Sequence, residues 1–192
     1  MLSRTAIAAV ALLAALASSA PPAVGAPLFG EPGEDFRQGT WSWEVEGAYI
    51  HPIRFSDDKF YQANFVASYY FGDDVSLGLE VQGYYVDQPV EDTAIIGTGL
   101  LLRWHVIELD RWSLFADGGV GISLADDEVP DGGTHFNYTG KGGGGATFEL
   151  REGTHLIGGV RFFHLSNGNL HGRDENPSQD GVQYYVGVMF TF

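Results

Sequence analysis

The chain of 192 residues has no cysteine, which excludes a disulfide framework and thiolate chemistry. It is also poor in cations. Ten Lys and Arg stand against 25 Asp and Glu, for a formal net charge of -15. A nucleic-acid binder driven by phosphate attraction is therefore excluded. Long apolar runs are absent after the first segment. Arg4 followed by an Ala/Leu/Val run over residues 5–17 reads as a secretory signal, too short to cross a bilayer as a helix. Cleavage is expected after Gly25, leaving residues 26–38 as an irregular mature N-terminal segment and residues 39–192 as the folded domain.

What remains is rich in glycine (27 residues) and in aromatics (14%), and it alternates. Trp41, Trp43, Val45 and Tyr49 fall on one face of an extended segment, with Ser42, Glu44 and Glu46 on the other. The same period of two recurs in seven further segments and argues strands. Within the strand bodies Glu44, Glu46, Glu80, Arg103, Asp117, Lys141, Glu149 and Arg161 all lie opposite the aromatic and aliphatic face.

A soluble lipocalin-like barrel or a sandwich would alternate in the same way. Three features favour a membrane barrel. Trp, Tyr and Phe gather near strand ends, as interfacial girdles require, and the segments run about ten residues, enough to cross a bilayer when tilted. The connections alternate, short at 72–74, 108–111 and 151–154, longer at 51–59, 88–92, 125–134 and 167–182. The chain also ends on Phe192 with apolar residues at alternate positions before it, like bacterial outer-membrane proteins. The prediction is an all-β protein, an eight-stranded antiparallel outer-membrane β-barrel. Trp43, Phe65, Leu79, Leu100, Leu114, Phe148, Phe162 and Phe190 should face lipid, and Glu80, Arg103, Asp117 and Arg161 the interior.

One stretch breaks the pattern. In the segment ending Arg161-Phe162-Phe163-His164-Leu165-Ser166-Asn167, His164 and Ser166 share the lipid-facing side with Val160 and Phe162. His164 is the ionisable side chain that stands out on that side, where a polar group is costly unless it is used or paired. A base beside a hydroxyl is the minimum for an activated serine. At the outer rim, facing lipopolysaccharide, it points to ester hydrolysis.

His164-X-Ser166-Asn167 followed by Asn176-Pro177, on the penultimate strand of an exported barrel, resembles the PagL lipid A 3-O-deacylases. The motif is confined to about residues 161–183. The resemblance implies His164 as general base and Ser166 as nucleophile on the 3-linked ester of lipid A in the outer leaflet of the bacterial outer membrane. It implies no metal or organic cofactor. Asn167, Gly168 and Asn176 become candidates for holding the oxyanion or the substrate. The family's Asp-Gly-aliphatic-Glu run reads Asp180-Gly181-Val182-Gln183 here, so Gln183 is the expected partner of His164, provided that a β-bulge reverses its parity. Counted back from Phe192, the even positions face lipid, which places Asp180 correctly if it lies in the strand. Asp180, Glu175 and Asp174 are the alternative acids, and the absence of any third group is another alternative. The second function class is a catalytically weak or inactive barrel with a structural or lipid-binding role. His171 reads as a solvated loop residue. His51, His105, His135 and His155 lack ligand spacing, so no metal site is expected. A homodimer is compatible with the sequence.

Overall fold

Eight strands close into one antiparallel barrel, each hydrogen-bonded to its neighbours in sequence and the last to the first. They are β1 (Trp41–Pro52), β2 (Lys59–Gly72), β3 (Val75–Asp87), β4 (Thr93–Leu109), β5 (Trp112–Val129), β6 (Thr134–Arg151), β7 (Thr154–Ser166) and β8 (Gln179–Thr191). The structure, a computed structural model, describes residues 27–29, 34–53, 58–89, 91–170 and 177–192. The expected signal segment lies outside these residues.

Closure removes the sheet edges, so the ladders pair the backbone polar groups of the strands, the condition for a sheet to cross hydrocarbon. The wall carries the expected alternation. Trp43, Phe65, Leu79, Leu100, Leu114, Phe162 and Phe190 are exposed on the outside and Phe148 is half-buried there. Glu80, Arg103, Asp117 and Arg161 are buried within.

The buried ions are paired. Arg103 bonds Glu44 at 2.6 Å and Asp117 at 3.1 Å, Arg161 bonds Asp117 at 2.7 Å and Glu46 at 3.2 Å, and Lys141 bonds Glu80 at 2.6 Å. Asn64 bridges the two halves of this network by donating to both Glu46 and Glu80. The Arg161 guanidinium also stacks on the Tyr185 ring at 3.7 Å. Such pairing is what makes buried charge tolerable.

Apolar clusters cap the network at both ends. Ile50, Phe60, Tyr84, Val86, Phe163 and Leu165 fill the interior toward the long-loop rim. Phe36, Tyr70, Phe115, Ile157, Tyr185 and Met189 fill it toward the short-turn rim. Phe36 comes from the N-terminal segment expected to be irregular. It ends a 3-10 turn (Glu34–Phe36), and its ring stacks on His105 at 3.9 Å between centroids.

The largest departures from the expected strand boundaries are both at the long-loop rim. The expected loop 125–134 is largely strand. β5 runs to Val129 and β6 starts at Thr134, with a register shift between Leu124 and Val129. Asn137 stitches that hairpin by donating to the carbonyls of Val129 and Thr134. The expected loop 167–182 ends early, because β8 begins at Gln179. Hydrophobic alternation marks only the part of a strand that meets lipid, so strand extensions into water escape it.

Candidate active site

The early start of β8 positions the site. His164 and Asp180 are direct partners across the β7–β8 ladder, which runs from Thr154↔Phe190 to Leu165↔Gln179 without a register shift. On the far side of β8 the Asp180 carbonyl accepts the N–H of Ile53 at 3.0 Å, so the acid is fixed by β1 as well as β7. Gly181 allows this close approach, since a Cβ there would come within 2.6 Å of the Ile50 side chain.

Strand parity puts His164, Ser166 and Asp180 together on the outer wall, and their side chains touch. His164 Nδ1 lies 2.7 Å from Asp180 Oδ1, and His164 Nε2 lies 3.0 Å from Ser166 Oγ. With the Nδ1 proton donated to the carboxylate, Nε2 is the acceptor and the serine hydroxyl donates to it. The imidazole is open, with 41% of its side-chain surface exposed against 11% for the carboxylate. An acid shielded under a base, and a base accessible beside a hydroxyl, is the connectivity of an activated serine. Behind them Phe163 and Leu165 are fully packed inside the barrel, which holds this part of β7 rigid.

The chain turns immediately after Ser166. Gly168 (φ 65°) and Asn169 (φ 62°) are both left-handed, and the Leu170 N–H donates to the Asn167 carbonyl at 3.3 Å, giving a tight type I′ turn. Asn167 is buried, and its side-chain oxygen accepts the Asn169 N–H at 2.9 Å. Gly168 sits against the ring of Tyr138, which is the ladder partner of Ser166. The wall beside the serine is therefore an aromatic face and a backbone turn.

The expected position of Gln183 is corrected. Neither ladder of β8 contains the bulge that would have turned it outward. Gln183 is fully buried inside the barrel, opposite Arg161 in the ladder, and donates to the Gln62 side chain. Asp180, one of the three alternative acids, is the group that reaches His164, and uninterrupted strand parity is the signal for it. Asp174, Glu175, Asn176 and His171 lie outside the described residues. Among the described residues, no three His, Asp or Glu side chains come together as a metal site.

Comparison with known proteins points to a family and to a fold. A family model described as lipid A 3-O-deacylase (PagL) matches residues 60–189. No curated protein matches the chain in sequence. Among solved structures, the outer membrane enzyme PagL superposes with a TM-score of 0.61 at 15% identity, over 75% of this chain and 97% of that one. Neisserial surface protein A gives 0.58 at 13% identity, over 80% and 96%. The outer membrane protein OprG from Pseudomonas aeruginosa gives 0.54 at 15% identity, over 81% and 97%. At such identities the likeness to these structures carries the fold.

Proposed function

We infer, from a chain that belongs to the lipid A 3-O-deacylase (PagL) family, that Ser166, His164 and Asp180 hydrolyse the 3-linked acyl ester of lipid A. The barrel resides in the outer membrane, and its long-loop rim faces outward. The carrying observation is the unbroken hydrogen-bonded chain Asp180–His164–Ser166, at 2.7 and 3.0 Å, on the lipid-facing wall at that rim.

The steps follow from these contacts. Ser166 Oγ attacks the ester carbonyl carbon while His164 Nε2 takes the hydroxyl proton. The tetrahedral intermediate collapses, the sugar oxygen leaves, and His164 returns the proton to it, freeing the 3-hydroxyl. Water then attacks the acyl-serine, with His164 accepting its proton and giving it back to Ser166 Oγ. Free fatty acid leaves and the serine is restored. Asp180 holds the imidazole in the tautomer that presents Nε2 to the serine and stabilises the imidazolium that forms. The turn 167–170 follows the nucleophile directly in the chain, and the Gly168 N–H and Asn167 are the candidate oxyanion donors.

The test is expression in a lipopolysaccharide-bearing host, with mass spectrometry of the extracted lipid A. Loss of the 3-linked acyl chain with the wild type, and its retention with Ser166→Ala at equal barrel abundance, is the expected result. Unchanged lipid A with the wild type would overturn the reading.

A further inference from the structure

The outer wall on the β8 side of the site differs from the rest of the rim in its polar groups. Tyr184, Tyr49, Tyr61 and Tyr85 are successive ladder partners across β8, β1, β2 and β3, so four phenols stand in one row. Such a row is the ordinary girdle of a membrane barrel. The side chains just above it, toward the long-loop rim, are not. His51 follows Tyr49 by two residues, Lys59 precedes Tyr61 by two, and both are exposed. Ile50 pairs with Phe60, which sets Lys59 opposite His51. The Tyr49 hydroxyl lies 3.4 Å from His51 Nδ1. With the phenol donating, the Nε2 proton is left for an outside acceptor. Lys59 Nζ lies 3.4 Å from the Asp87 carboxylate, in a half-exposed surface pair that opens readily.

This pair stands level with the reacting imidazole. Followed through ladder partners from Ser166 over β6, β5, β4, β3, β2, β1 and β8, one circuit returns to β7 at Leu156, ten residues below its start. In the opposite sense, from β7 over β8 to β1, each step therefore climbs by about one residue, as the stagger of a closed barrel requires. His51 shares a row with Val182 and Phe162, and Phe162 lies two positions below His164. Two steps of climb bring His51 to the height of His164, about 10 Å away across the strands.

Charge singles out the same flank. Among the described residues of the long-loop rim, Glu91, Asp92, Asp126, Asp127 and Glu128 are exposed, and all lie on the arc from β3 to β6. From β7 over β8 and β1 to β2, the described carboxylates at this rim are Asp58 and Asp180, both buried, and Asp180 is held by His164. A polyanionic headgroup is repelled on the first arc and meets hydrogen-bond donors on the second.

We propose that His51 and Lys59 hold a phosphate of the lipid A disaccharide while Ser166 reaches its ester, and so set the direction in which the headgroup lies across the site. The proposal rests on the hydrolase reading above and adds an anion subsite on strands that carry none of the three reacting side chains. The phosphate oxygens accept from His51 Nε2 and from the Lys59 ammonium. A headgroup turned end for end would set its phosphate against Asp126 and its neighbours instead.

Two measurements test this. In the first, phosphorylated and dephosphorylated lipid A are turned over in mixed micelles by wild type and by the His51→Ala, Lys59→Ala double variant. Wild type should favour the phosphorylated lipid. The double variant should lose that preference, with kcat/KM on the phosphorylated lipid down by about tenfold or more, mainly through KM, the scale of one hydrogen bond to a charged group. His51→Arg should keep the preference, and His135→Ala, on the acidic arc, should not alter it. An unchanged preference in the double variant, or an equal loss on both lipids, would overturn the proposal. In the second, Ser166→Ala protein with ¹⁵N-labelled histidine is titrated with each lipid and with inorganic phosphate, and the His51 imidazole signal is assigned by its absence in His51→Ala. A shift with phosphorylated lipid A and none with the dephosphorylated lipid supports the subsite even if wild type hydrolyses nothing, and in that case it is the hydrolase reading that fails. If neither lipid moves the signal, or inorganic phosphate at the same concentration moves it equally, the assignment to the lipid headgroup falls.

Discussion

His164 and Asp180 face each other directly across β7 and β8 with 2.7 Å between imidazole and carboxylate. Because the contact is fixed by ladder register, Asp180 cannot be exchanged for a loop acid without rebuilding the strand. Asp180→Asn should leave the barrel folded and lower deacylation by about 10³–10⁴-fold, the cost of holding the wrong imidazole tautomer in a serine triad. Rates from lipid A mass spectra over time would check this. A fall of less than tenfold would remove Asp180 from the mechanism.

Gln183→Glu should not raise activity. The side chain lies inside the barrel beside Gln62, on the opposite face from His164. A faster enzyme in the same assay would mean that position 183 communicates with the imidazole after all.

His164→Asn and Ser166→Ala should each abolish turnover, and the double variant should be no worse than either, because members of one proton-transfer unit are not additive. Separate, multiplicative losses would argue against a shared mechanism.

The eight strands and their two faces were legible in the sequence because hydrocarbon forces strict alternation. Glu80 and Arg161 could be placed inside, and Phe65 and Phe162 outside, by parity alone. Asp180 was harder. It lies at the rim, where Gln179 and Asp180 are polar on both faces of the strand, so no hydrophobic period announces that β8 has begun. Motif alignment favoured Gln183, whereas parity, which a closed barrel enforces, favoured Asp180. Phe36 was not legible as a plug. A single aromatic in a Gly/Pro-rich segment has no periodicity, and only the closed barrel supplies the hole that it fills.

Arg161→Met should destabilise the barrel by about 3–5 kcal/mol, since it takes from the buried Glu46 and Asp117 one of the two guanidiniums they share and leaves Arg103 to serve them and Glu44 alone. Urea unfolding followed by tryptophan fluorescence would report it. A neutral result would show that water enters the interior and solvates the acids.

Asp74 offers a pH test outside the membrane. It occupies the β2–β3 turn with φ 65°, it is fully buried, and neither carboxylate oxygen has a hydrogen-bond partner. Burial, reinforced by the neighbouring Asp73, pushes its pKa up from 3.8 to about 7. The folded state therefore holds this proton more tightly than the unfolded one. The contribution of this group to stability is fully present below pH 3.8 and is lost as pH rises through 7. Asp74→Asn keeps a residue that tolerates the left-handed backbone and removes the charge. It should match wild type near pH 4 and exceed it by up to about 4 kcal/mol near pH 8. Parallel stability curves at the two pH values would refute this.

The ion network and its two apolar caps have a further consequence for the cell. With Arg103, Arg161 and Lys141 locked to their carboxylates and aromatic clusters above and below, the barrel offers no conduit. Inserted in quantity, it should leave the membrane electrically tight. Planar bilayers holding the protein should show no unitary conductance, and cells expressing it should be no more permeable to small hydrophilic antibiotics. Traffic with this protein runs sideways, within the plane of the membrane. Its encounter rate with substrate is then set by lateral diffusion and by the area density of the lipid rather than by any concentration in solution.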